Sequence, residues 1–204
     1  MQKNSAPTKG NLMAAKNTLR LSKRGYEMLD KKRNILVREM MTLIEEAKDV
    51  EAQIERTFTD AYRALEYANL IMGVSNVSDL AHSAVFEDSV SVDLRSVMGV
   101  EIPVVNIREE GKRPIYGFYG TSSALDEACA KFSQVKHLTV KLTEIENAIY
   151  RLAINIKKTL KRANALENIT IPTYEKLSKE IQTALEEKDR EEHSRLKIIK
   201  KAKS

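Results

Sequence analysis

Apolar residues recur along the first third of the chain at alternating intervals of three and four. The series runs Leu12, Ala15, Leu19, Ser22, Tyr26, Leu29, Arg33, Leu36, Met40, Leu43, Ala47, Val50, Ile54, Thr57, Ala61, Ala64, Ala68 and Ile71. Only Ser22, Arg33 and Thr57 break its apolar character. A repeat held over so many heptads predicts a coiled-coil helix. Gly25 is the only glycine inside it, and no proline falls there. At 1.5 Å per residue such a helix is about 90 Å long, more than a small globular core can bury. It therefore needs a partner helix. Near its end Phe58, Leu65 and Met72 add a second row beside Ala61, Ala64 and Ala68. That arrangement fits either contact with more than one neighbour or one wider core. Gly73 and the polar run Ser75, Asn76, Ser78 and Asp79 then predict a stop.

Residues 74–121 change period. Val90, Val92 and Leu94 alternate with Ser89, Ser91 and Asp93, as in a strand. Val100, Ile102, Val104 and Val105 follow Gly99, and Pro103 places that stretch at an edge or a bend. Glu110, Gly111 and Lys112 read as a turn, and Ile115, Tyr116, Phe118 and Tyr119 as a short aromatic strand. The expectation is a small β-hairpin or three-strand patch that leans on helices, because two strands alone are marginal.

Helical spacing returns after Thr121, Ser122 and Ser123, which offer N-caps, with Asp126 and Glu127 in the first turn. The stripe is Leu125, Ala128, Phe132, Val135, Leu138, Leu142, Ile145, Ile149, Leu152, Ile156, Leu160, Ala163 and Leu166. Pro172 is expected to kink or break it, since it has no N–H and clashes with the preceding turn. Spacing resumes with Leu177, Ile181, Leu185, Leu196 and Ile199. The reading is a mainly α fold: a long antiparallel two-helix coiled coil from the N- and C-terminal segments, with a β-hairpin module at the fold-back. Its parts are 1–73, 74–121 and 122–204, the last kinked near Pro172 and ending in a basic tail.

Charge supports that pairing. With Ile71 placed near Leu125, residues 39–66 (eight acids, three bases) lie beside roughly 130–162 (eight bases, two acids). Residues 1–33 (nine bases, two acids) lie beside 173–192 (seven acids, four bases). Exposed pairs contribute about 0–1 kcal/mol each, yet together they favour one register over slipped ones. On this register Arg195, Lys197, Lys200, Lys201 and Lys203 project past the first helix as a basic tip, with a solvated tail as the plainer reading. Gly25 marks a close helix approach, its counterpart falling near Pro172.

Composition narrows the function. The 204 residues are 42% hydrophobic and 31% charged, with seven Gly, four Pro and 5% aromatics. High charge with few aromatics suits elongated helices better than a compact globule. Net charge is +5, which permits an acidic partner. The single Cys129 cannot form an internal disulfide, so a reducing compartment is the default. No signal peptide or membrane span is expected.

Candidate chemistry is sparse. There is no phosphate loop; the stretch from Gly117 to Ser122 lacks the lysine and the spacing. His82, His137 and His193 stand far apart without ligands at metal spacing. Cys129 between Ala128 and Ala130 reads as a packed helix residue. Arg33 in the apolar series reads as a side chain that snorkels to the surface, with a register pin or partner contact as the alternative. No active site, cofactor or metal is expected.

Two segments resemble a known family. PTKGNLMAAKNTLRLSKRGYEMLDKKRNIL (residues 7–36) is similar to the opening of the D subunit of vacuolar- and archaeal-type ATPases. The matching residues are Pro7, Thr8, Lys9, Leu12, Lys16, Leu19, Gly25, Leu29, Lys31, Lys32 and Arg33. KRANALENITIP (161–172), with Arg162, Asn164, Ala165, Leu166, Glu167, Ile171 and Pro172, resembles the family's second signature. The following EEKDREEHSRLKIIKKAK resembles its ending, and Met98, Gly99, Val100 and Pro103 its central module, more loosely.

The resemblance implies a non-catalytic central-stalk rotor of a rotary ATPase or ATP synthase, cytoplasmic and peripheral to the membrane. Its paired helix ends would sit in a hexamer of A and B subunits. The other end would reach, with the stalk's F subunit, to a funnel-shaped subunit on the membrane ring. Arg20, Lys23, Arg24, Arg195, Lys197, Lys200 and Lys201 are the expected bearing contacts. The hairpin, through Val92, Leu94, Val104, Ile107, Tyr116 and Phe118, is the expected lower-stalk contact. No direct nucleotide or nucleic-acid binding is implied. The rival readings are a nucleic-acid-binding coiled coil using the basic N-terminal third, and a helical scaffold.

Overall fold

A computed structural model describes residues 6–83, 90–107, 116–117 and 119–202. Helix α1 spans Lys9–Met72, α2 Val74–Ser83, strand β1 Val90–Val97, β2 Val100–Ile107 and α3 Ser123–Ala165. A π-turn, Leu166–Thr170, leads into α4, Ile171–Ala202. The chain divides into two compact units, residues 1–35 with 156–204, and residues 36–155.

The series read from the sequence is the buried side of α1. Every member from Leu12 to Ala68 is buried or half-buried. Leu36, Ala61 and Ala68 are completely covered. The second row, Phe58, Leu65 and Met72, is half-buried. Ile71 departs at 53% exposure. The register is the reason: Ala68, not Ile71, lies against Leu125 and Ala124, one turn earlier than expected.

In the 36–155 unit, α1 and α3 run antiparallel. Ala47 and Val50 pack on Ile145, with Leu43, Ile54, Leu142 and Ile149 around them. Tyr62 meets Phe132 edge-on at 5.6 Å between ring centroids, and Lys141 bridges Glu46 at 3.0 Å. In the other unit, Lys23 bridges Glu175 at 2.6 Å and Lys16 donates to Gln182 at 3.1 Å. Each pair of oppositely charged stretches thus contributes at least one bridge between helices among the described residues.

Helix α2 corrects the sequence reading, which had a stop and a polar loop there. Gly73, at φ +82, ends α1, and Val77 N–H then bonds back to the Gly73 carbonyl, so a new helix starts at once. Val77 and Leu80, three apart, pack on the Ala68–Leu125 cluster while the polar residues face water.

Pro172 does not break the helical run: it is the second residue of α4, directly after the π-turn. Covered positions run Thr159, Ala163, Leu166, Thr170, Tyr174, Leu177 and Ile181. The intervals are 4, 3, 4, 4, 3 and 4, so one residue exceeds the heptad. The π-turn absorbs it: Ile171 N–H bonds to the Leu166 carbonyl, five residues back. The Thr170 hydroxyl donates to the Ala165 carbonyl at 3.3 Å, and the Thr173 hydroxyl to the Ile169 carbonyl at 2.6 Å. Three stripe assignments fail. Leu160 is 38% exposed because Thr159 and Ala163 take the covered side, and Leu196 and Ile199 are 65% and 53% exposed.

The sheet, among the described residues, has two antiparallel strands joined by Met98–Gly99. Both turn residues have positive φ, +50 and +75, as a two-residue hairpin requires. Tyr116 and Tyr119 lie in a bend and a turn rather than a third strand. Ile115, Phe118 and the expected turn at Glu110–Lys112 lie outside the described residues.

Two substitutions test these backbone assignments. Met98→Asn keeps the turn while removing a left-handed methionine, and should stabilise the protein by about 0.5–1 kcal/mol. A Cβ added at Gly25 would meet only Leu166 Cδ1, at an ordinary 3.6 Å. The fold therefore does not require glycine there for close approach, and Gly25→Ala should gain about 0.5–1 kcal/mol. Urea unfolding midpoints measure both; destabilisation by either variant would refute its assignment.

Candidate partner-binding surfaces

The first surface lies on α1 and α4 in the unit of residues 1–35 and 156–204. Arg20, Lys23 and Arg24 are exposed. Arg20 donates to the Asn17 side chain at 3.2 Å, and Lys23 is held by Glu175. Of these three, Lys23 is the one that bridges to the facing helix among the described residues. Off-heptad apolar residues flank them: Leu21 and Met28 are each 72% exposed, with Ile35 seven further on. Sequence reasoning passed over that row. Its signal was a seven-residue spacing on the wrong side of the core series.

The basic stretch of α4 forms a second patch. Lys16–Gln182 and Lys23–Glu175 set the antiparallel register, so Arg195–Lys201 extends beyond the first turn of α1. Arg195 pairs along its own helix with Glu191 at 3.6 Å; Lys197, Lys200 and Lys201 are exposed. Leu196 and Ile198 are uncovered among them. Arg20 lies opposite about residue 178, so roughly 25 Å of helix separates the two patches. The structure does not merge them. Lys203 lies outside the described residues.

The π-turn lies on the other side of the first patch, beside Gly25 and Tyr26. Tyr26 shares a hydrogen bond with Glu167, and that carboxylate holds its phenol above the usual range. Arg33 turns along its own helix to Asp30 and Asn34, which is the snorkelling arrangement.

The hairpin, in the 36–155 unit, has unequal edges. Strand β2 is mostly covered, with Val100 at 2% and Ile102 at 7% exposure. Its outer edge is occupied: Val105 N–H donates to Glu144 at 3.0 Å, and Arg151 donates to the Glu101 carbonyl at 3.2 Å. Pro103 between them has no N–H to satisfy. Glu144 and Arg151 are seven apart on α3, so they share a helix face. Arg95 reaches Glu39 of α1 at 3.5 Å. A groove of about 640 Å³ separates β2 from the helices, with Glu39, Glu46, His137 and Lys141 in its wall.

The hairpin residues singled out from sequence divide. Val92 and Leu94 are each 60% exposed, whereas Val104 and Ile107 are half-buried. Tyr116 turns inward onto the Ala68–Leu125 cluster and donates to Asp126 at 2.6 Å. Burial, then its hydrogen bonds to Asp126 and Cys129, push its phenol upward. Phe118 lies outside the described residues. Another exposed apolar group, Tyr67, Leu70, Ile71 and Val74, lies where α1 passes into α2.

Among the described residues, no His, Cys, Asp or Glu side chains gather in a group that could hold a metal ion. No described helix is long and apolar enough to cross a membrane.

Residues 11–201 match the family described as the D subunit of ATP synthase. The chain is 44% identical over 195 residues to the D subunit of the V-type ATP synthase of Thermotoga neapolitana, covering 96% of each. It is 37% identical over 199 residues to the D subunit of the A-type ATP synthase of Methanobrevibacter smithii, covering 95% of this chain and 85% of that one. Against the D subunit of the A-type ATP synthase of Pyrococcus furiosus it is 34% identical over 197 residues, covering 95% and 92%.

The edge contacts of β2 make a prediction. Glu144→Ala strands the half-buried Val105 N–H and should cost about 1–2 kcal/mol. Glu144→Gln, which can still accept, should cost less. Hydrogen exchange at the Val105 amide, faster in the alanine variant alone, checks the assignment.

Proposed function

Since this chain belongs to the family of ATP synthase D subunits, we propose that it is the central-stalk rotor, or axle, of a V/A-type ATPase/ATP synthase, non-catalytic itself. It couples ATP hydrolysis or synthesis in a hexamer of A and B subunits to ion translocation by a membrane ring. The observation that carries this reading is the helix pairing. The apolar series of α1 is covered from Leu12 to Ala68, in both units, by an antiparallel partner. A rotor must resist splaying and twisting, and the helix-pair core within each unit supplies that resistance there.

Coupling also requires that the rotor contact similar catalytic sites unequally, because only differential contact energy shifts their states. Surface left over after the helices pair supplies such contacts. Arg20, Lys23 and Arg24 beside Leu21 and Met28 make one bearing, and Arg195, Lys197, Lys200 and Lys201 beside Leu196 and Ile198 make the other. Both combine charge for steering with apolar area for adhesion. Val92, Leu94, Val104 and Ile107 of the hairpin, with Tyr116 and Phe118 after it, form the lower-stalk region. There the chain works with the stalk's F subunit and a funnel-shaped subunit on the ring. The protein thus operates in the cytoplasm, peripheral to the membrane.

Titration of the purified chain into an A/B hexamer, following mass and ATP turnover, tests the reading. Saturation at one chain per hexamer with altered turnover is expected. Arg20→Ala with Arg24→Ala, or truncation after Glu192, should weaken association about tenfold or more. Failure to bind with and without the F subunit, at low and high salt, would overturn the rotor assignment.

A further inference from the structure

The two edges of the hairpin are treated oppositely, and the open one is complementary to itself. In an antiparallel pair, hydrogen-bonded and non-hydrogen-bonded pairs alternate. The two-residue turn makes Val97 and Val100 a bonded pair, and the register makes Arg95–Ile102, Asp93–Val104 and Ser91–Asn106 bonded pairs as well. The outward Val105 N–H, taken by Glu144, agrees with this phase. Backbone N–H and C=O groups of Val90, Val92, Leu94 and Ser96 therefore point away from β2.

Nothing among the described residues covers them. Six of the eight residues of β1 are exposed, and Val90, Val92 and Leu94 stand outward at 48%, 60% and 60%. No proline, lysine or bulge blunts this edge; its charges are one acid and one base, Asp93 and Arg95, which repel a second copy only where like faces like.

We infer that the free chain pairs with a second copy of itself along β1, antiparallel about a two-fold axis at Leu94. Charge selects that register. Centred on Leu94, Asp93 of each copy faces Arg95 of the other, so opposite charges meet twice, Asp93 sharing its carboxylate with Asn106 and Arg95 its guanidinium with Glu39. Centred on Asp93, two carboxylates would face each other; centred on Val92, Asp93 would face Ser91. The Leu94 register also sets Val92 against Ser96 and Val90 against Met98, extending the apolar face. Assembly stops at two. The outer strands of the resulting four-stranded sheet are both β2, whose edges Glu144, Arg151 and Pro103 already occupy. This inference does not rest on the rotor reading. A strand offered by any other partner would compete for the same edge.

Sedimentation velocity on the full chain across a dilution series should show a monomer–dimer equilibrium. Val92→Pro removes an outward N–H while leaving the hairpin's own bonds in place. In a two-fold dimer it deletes two such hydrogen bonds, one from each copy, and should weaken dimerisation about tenfold to a hundredfold. Asp93→Arg should weaken it too, and adding Arg95→Asp should restore it. In a Cys129→Ser background, Leu94→Cys should form an intermolecular disulfide and Ser96→Cys should not, since only residue 94 meets itself. A chain monomeric at every concentration would overturn the inference. So would a dimer indifferent to Val92→Pro with equal cross-linking at both positions, which would place the contact elsewhere.

Discussion

A helix of 64 residues with an apolar side chain every three or four positions cannot stand alone in water. Each Leu, Ile, Val or Met left uncovered forgoes about 1.5–3 kcal/mol of burial. The remedy has to run beside it with the same spacing, because knobs from one helix fit holes in the other only when the repeats match. That one requirement explains why α3 carries its own series and why the two run antiparallel within each unit. It also explains why small residues cluster late in α1. Ala61 and Ala68 are fully covered, and their size makes room for Phe58, Leu65 and Met72 in the next row.

The same requirement explains the π-turn. Between Leu166 and Tyr174 the chain has one residue too many for the repeat. A regular helix would rotate everything after it by about 100°, carrying Leu177 and Ile181 off the covered side. Widening one turn cancels that rotation. Pro172 fits just after this wide turn because it stands in the first turn of α4, where an N–H is dispensable. The loss of backbone regularity is local and keeps the apolar series in phase across it.

How much of this was legible depended on repetition. The α1 series could be read residue by residue because fifteen of eighteen successive positions are apolar, so no single exception mattered. Where few residues carried the signal, reading failed. Helix α2 has a short series, Val74, Val77, Leu80 and Ala81, to announce it, set among serines, asparagine and aspartate that normally signal a loop. Leu160 and Ile71 fit the spacing by sequence but not by register, and an offset of one turn is invisible until the facing helix is placed. The π-turn was hidden in a different way: proline announced a disturbance, whereas its form depended on the interval from Leu166 to Leu177. Among the surface candidates, charge was legible and its environment was not. Tyr116 read as an exposed contact, and its hydroxyl is spent on Asp126.

Charges on these helices also serve two purposes that partly conflict. Lys23 and Lys141 hold the register by bridging Glu175 and Glu46, so neither is free to meet a partner without releasing one. Both bridges are about half exposed, where a pair is worth about 0–1 kcal/mol, and exchanging one acid for another costs little. The opposite holds for the hairpin. Glu144 satisfies a half-buried backbone N–H, and releasing it leaves that group unpaired, so it is fixed in place. A partner can therefore recruit the lysines of the helices but not the carboxylate that anchors the hairpin. Contacts that must be made and broken belong on α1 and α4, and a surface that must hold its form belongs on β2.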